Sequence, residues 1–86
     1  MHARVIHANI ADLGEAKRGL GEVIPRPREA AGFVGAYFVA VDDVRGISIE
    51  VFETEELART TAPPEGAEAP GVTVRAIEFG EVIASA

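Results

Sequence analysis

The chain has 86 residues, a net charge of −6 and no cysteine, with 48% apolar but only 6% aromatic residues. These values bound it to one small domain, residues 1–86, with a core of Val, Ile and Ala, and they exclude disulfides, zinc–thiolate sites and cysteine nucleophiles. Residues 1–45 carry six basic and six acidic side chains against two and eight in residues 46–86, so the acidic second half repels phosphate backbones and nucleic acid is not an expected partner.

The opening MHARVIHANI lacks a charged leader followed by a long apolar run. No window approaches the roughly 20 apolar residues that span a bilayer. The expectation is therefore a cytoplasmic protein with no membrane partner. Ala3 to Ala8 (ARVIHA) is short and rich in branched aliphatics, and it reads as a first strand. Asn9 or Asp12 then caps a helix, with Glu15 three residues after Asp12 in capping-box spacing. Ile10, Leu13, Ala16, Leu20 and Val23 or Ile24 recur at intervals of three and four and place one apolar stripe against a sheet. Gly14, Gly19 and Gly21 weaken that helix, so packing has to hold it. Pro25 and Pro27 end it, and Arg26 with Arg28 forms the one local basic spot, read as a solvated turn.

Phe33 to Val41 (FVGAYFVAV) is apolar almost throughout, as expected of a strand covered on both faces. Asp42-Asp43 opens a turn and Gly46 closes it, after which Ile47 to Phe52 alternates, so residues 33–52 form a hairpin. Ile47, Ile49 and Val51 share one face of the second strand, and Ser48, Glu50 and Phe52 share the other. Thr54 followed by Glu55 and Glu56 starts a short second helix, stopped by Pro63-Pro64. The tract TAPPEGAEAPG, 61–71, reads as a mobile loop, and Val72 to Ile83 as the last strand, with a bulge at Gly80.

The order βαββαβ predicts an α+β, ferredoxin-like domain: a four-stranded antiparallel sheet with two helices on one face. The other sheet face is then bare. The double-sided apolar character of residues 33–41 calls for a cover, and a second copy of the chain is the simplest one, which makes a homodimer the expected state.

Ala31-Gly32-Phe33-Val34-Gly35 and Phe52-Glu53-Thr54-Glu55-Glu56-Leu57-Ala58 resemble the dimeric α+β barrel superfamily, and within it the antibiotic biosynthesis monooxygenase group. There a Pro-Gly-Phe-x-Gly run leads into the second strand and a Trp-Glu-Ser-x-Glu run leaves the third. The resemblance implies protomers whose sheets pack face to face, each with a pocket between helices and sheet. It implies a small homodimeric monooxygenase-like protein binding a flat aromatic or quinone-like molecule, with oxygenation that needs no cofactor. The alternative is a dimeric module that binds a ligand without catalysis. Ala31 replaces the usual proline and Phe52 the frequent Trp. The short second helix has no His, whereas haem-degrading members carry a His ligand there, so haem chemistry is not expected.

Within that frame His7 stands where such members read Ile-Asn-Ala, and it is a candidate general base, or else a polar side chain at a strand or dimer edge. Tyr37, the only tyrosine, is a candidate proton donor or orienting group. Asn9, Phe52 and Glu50 are candidate substrate contacts. Glu50 is also a candidate ion-pair partner of Arg75, and Phe33, Phe38 and Phe52 are expected in the core. The two histidines have no metal-ligand spacing, and no metal site is expected.

Overall fold

A computed structural model describes residues 1–23 and 31–86. The expected roles of Pro25, Pro27, Arg26 and Arg28 lie outside the described residues. Among those described, the chain forms strand β1 (His2–Ile10), helix α1 (Leu13–Val23), strands β2 (Phe33–Ala40) and β3 (Arg45–Phe52), helix α2 (Glu55–Thr60), and strands β4 (Glu68–Ala69) and β5 (Val72–Glu81). The fold is α+β. The sheet runs β2-β3-β1-β5-β4 with every neighbouring pair antiparallel.

The sheet has five strands where four were expected. The fifth is β4, which arises inside the tract read as a loop. Glu68 and Ala69 pair with Thr73 and Val72, and the pairing extends through Gly66 N–H donating to the Val74 carbonyl (2.8 Å) and Val74 N–H to the Ala67 carbonyl (2.8 Å). The turn between them holds Gly71 at φ +76°, a conformation that glycine adopts without steric penalty. A second correction concerns β1, which continues past Ala8 to Ile10. Ile10 is in step with Ile6 on the sheet's inner face and is buried there, rather than starting the helical stripe. The bulge in β5 also lies elsewhere than at Gly80: the register slips opposite His7 and Ala8, leaving Arg75 without a partner on β1.

The helix starts follow the local chemistry. Asp12 Oδ1 accepts the Glu15 N–H (2.8 Å) ahead of α1, and Thr54 Oγ1 accepts the Leu57 N–H (3.2 Å) at the N-cap of α2. Of the two candidate caps for the first helix, Asp12 is the one used. The hairpin turn follows its chemistry too. Asp42 Oδ1 accepts the Val44 and Arg45 N–H groups (both 2.9 Å), while Oδ2 pairs with the Arg45 guanidinium.

These bonds, the Val44 N–H first and the Arg45 side chain next, hold the Asp42 carboxyl below its ordinary pKa. A carboxyl whose pKa falls on folding adds stability that is fully present above its unfolded value and is lost as pH drops through the folded one. Asp42→Asn is thus expected to melt below the wild type near pH 7, and the two melting temperatures to converge below about pH 4. A constant gap down to pH 2 would mean that the charge plays no part in the turn.

The side chains on the inner face of the sheet, Arg4, Ile6 and Ile10 of β1 with Glu50 and Phe52 of β3, lie on the side where α2 packs. Among the described residues, Ile6, Ile10, Ala16, Phe52 and Ala58 are buried, as are Arg4 and Glu50. Phe33 meets Phe52 edge to face, ring centres 5.7 Å apart. The opposite face carries Val5, Ile47, Ile49, Val51, Tyr37 and Val39, and no element of the described chain covers it. Tyr37 is 76% exposed and Val39 and Ile49 remain well exposed.

Candidate functional site

α2 lies directly on the sheet, but α1 does not. Its first turn is pinned from the side: the Gly71 carbonyl accepts the Ala11 N–H (2.8 Å) and, more loosely, that of Asp12 (3.4 Å). Further along, Gly19 is buried against Pro70, so closely that a Cβ at position 19 would stand 3.0 Å from the proline Cβ. The helix therefore rests on the β4–β5 turn. Gly19 thus brings the helix close to a proline beside the sheet and not to the sheet itself.

Under α1 this leaves a cleft of about 700 Å³. Its floor is the inner sheet face, with Ile6, Ala8 and Ile10 of β1, Phe38 of β2 and Val74 of β5. Leu13, Ala16 and Leu20 of α1 form the roof, and Thr61, Pro63 and residues 67–69 the side wall. The volume is in the range of sites for small organic molecules, and the lining is mostly apolar with a few polar groups, the usual make-up of such sites.

The polar groups form one strip on the floor. Arg4 and Glu50 stand directly opposite one another on β1 and β3, and their side chains are each only 7% exposed. Arg4 Nε donates to Glu50 Oε2 (2.9 Å) and Nη2 to Oε1 (3.3 Å). Nη1 donates to the Ala58 carbonyl (3.2 Å) and to Thr61 Oγ1 (2.7 Å), and the guanidinium lies 4.7 Å above the Phe52 ring. One arginine thus ties β1, β3 and the end of α2 together, in the planar, forked geometry that suits a carboxylate. Ser48, two residues before Glu50 on the same face of β3, also lines the cleft. Lys17 and Glu68 stand at its exposed rim.

Of the residues singled out from the sequence, Glu50 and Phe52 line this cleft. His7, Asn9 and Tyr37 do not: they alternate onto the other face of the sheet. The period of two explains why, since Arg4, Ile6, Ala8 and Ile10 turn inward and the residues between them outward. His7 Nε2 lies 3.0 Å from Glu78 Oε2, an exposed diagonal pair across β1 and β5. The structure therefore brings His7, Asn9 and Tyr37 to a common face, and it separates them from the pocket expected to hold them. Glu50 does make a cross-sheet ion pair, but with Arg4, because the bulge and exposure of Arg75 remove that residue from the inner face.

Three contributors were missed: Arg4, Ser48 and the 61–69 wall. Arg4 had a legible signal, a charge in phase with Ile6, Ala8 and Ile10. Among the described residues no cluster of three or more His, Asp or Glu side chains is placed to hold a metal ion, and no helix is long and apolar enough to cross a membrane. No family model, curated protein or solved structure matches the chain.

Proposed function

We propose that this chain is a small-molecule-binding domain of the dimeric α+β barrel type: a ferredoxin-like protomer that pairs through its outer sheet face and takes a flat, mostly apolar molecule in the cleft under α1. The observation that carries the binding reading is the 700 Å³ apolar cleft with one polar strip on its floor. The strand order β2-β3-β1-β5, with helices following β1 and β3 on one side, supports the ferredoxin-like description, β4 being an edge addition. Pairing of two sheets is supported by Tyr37, Val39 and Ile49, large apolar side chains that leave one face greasy.

Between binding alone and monooxygenase-like turnover, binding alone is the better supported. Cofactor-free oxygenation needs a base within reach of the bound molecule, and His7 and Tyr37 are on the far side of the sheet from the cleft. Glu50, the carboxylate inside it, holds Arg4 with one lone pair of each oxygen and is left as a hydrogen-bond acceptor rather than a free base.

The test of the cleft is a panel of flat aromatics and quinones followed by two-dimensional NMR. Perturbed amides are expected at Ile6, Ala8, Phe38 and Val74, and Ala8→Phe, which fills the cleft, should abolish them while Tyr37→Phe leaves them unchanged. Perturbations confined to residues outside the cleft would overturn the reading. Oxygen uptake with quinols and anthrones is expected at background, and uptake that falls in Ala8→Phe would establish turnover instead. For the pairing, light scattering at micromolar concentration should give twice the chain mass, and Tyr37→Glu should halve it. A monomeric wild type would refute the pairing and leave the cleft untouched.

A further inference from the structure

The floor strip has a chemical bias. Arg4 spends four of its five N–H donors on Glu50, Ala58 and Thr61, so the cation is turned inward and offers a ligand almost nothing. Each Glu50 oxygen accepts one bond from Arg4, which leaves each a second lone pair. Ser48 follows on the same strand face, and its hydroxyl both donates and accepts. What the cleft presents is therefore an acceptor, a carboxylate oriented by its arginine and set in apolar surroundings where a charge-assisted hydrogen bond is strong. The rim charges do not reverse this bias. Lys17 and Glu68 are exposed, of opposite sign, and weakened by water.

We infer that Glu50, seconded by Ser48, is the specificity-determining group of the cleft, and that the ligand is a flat molecule bearing a neutral hydrogen-bond donor, a hydroxyl or an N–H, rather than a carboxylate. This rests on the binding reading of the cleft. An anionic ligand would set its charge against Glu50 with the nearby cation already spent. A ligand with no donor would cover the carboxylate without replacing its water, which is the costly case for a polar group.

Three probes of similar size separate the possibilities: 2-naphthol, naphthalene and 2-naphthoate, titrated into the full chain and followed by NMR. Wild type is expected to bind 2-naphthol at least tenfold more tightly than either of the others. The side-chain carboxyl carbon of Glu50 should shift with 2-naphthol and not with naphthalene. Ser48→Ala, which leaves the Arg4–Glu50 pair intact, should weaken 2-naphthol roughly three- to tenfold and leave naphthalene unchanged. Equal affinity for naphthol and naphthalene, tightest binding of naphthoate, or a Glu50 resonance that does not respond to naphthol would each overturn the inference while the cleft stands as a binding site. If none of the three perturbs cleft residues, the binding reading falls together with it.

Discussion

Arg4→Met is expected to lose about 3–5 kcal/mol, which for a chain of this size is most of its stability. The substitution leaves the Glu50 carboxylate buried and unpaired, and it frees the Ala58 carbonyl and Thr61 hydroxyl that Arg4 also holds. The double variant Arg4→Met/Glu50→Leu removes both charges and is expected to recover most of the loss, because a buried ion pair draws its attraction against a desolvation penalty of similar size. Urea denaturation of the wild type, the single and the double variants measures this directly. The single variant should lose most of the midpoint and the double should stand within about 1.5 kcal/mol of wild type. If Arg4→Met unfolds at the wild-type midpoint, the pair is hydrated in solution and the cleft floor is not closed as described.

Gly71→Ala is the second large effect. At φ +76° an added Cβ costs roughly 1–2 kcal/mol in backbone strain alone. It would also stand 2.5 Å from the Asp12 carbonyl oxygen and 2.8 Å from the Ala16 nitrogen, both backbone atoms of the first turn of α1 that cannot swing aside. A total near 3 kcal/mol follows, or a drop of some 12–24 °C in Tm. Gly66→Ala is the internal control: its φ is +83°, but nothing lies within 4 Å of the added carbon. It should lose only the strain. Equal losses at the two positions would mean that the turn does not touch the helix.

How much of this was legible in the sequence depends on the range of the interaction. The hairpin of residues 33–52, the Asp42 turn and the Asp12 and Thr54 caps rest on contacts between neighbours, and they lie where the residue pattern puts them. Ile10 was read as the head of a helical stripe because its spacing to Leu13 satisfies the helical period, yet strand period from Ile6 and pairing with Val72 prevail. The tract 61–71 looked featureless because its two-residue strand draws its definition from β5 and not from its own side chains. The candidate site divides the same way. Glu50 and Phe52 were placed by alternation along one strand. The separation of His7 and Tyr37 from the cleft requires knowing which face of the sheet the helices cover, and that is settled by Arg4 and Ile6, whose shared parity with Ala8 and Ile10 marks the inner face.

Because α1 sits on Pro70 and Gly71 rather than on the sheet, the height of the roof is set by a surface segment that takes no part in the floor. Lengthening, shortening or stiffening residues 61–71 would shift the edge strand β4 and resize the chamber while β1, β2, β3 and β5 keep their mutual register. Ligand size and the register of the four long strands are thereby placed under separate control, and such a scaffold can change what it holds by altering a single connecting segment.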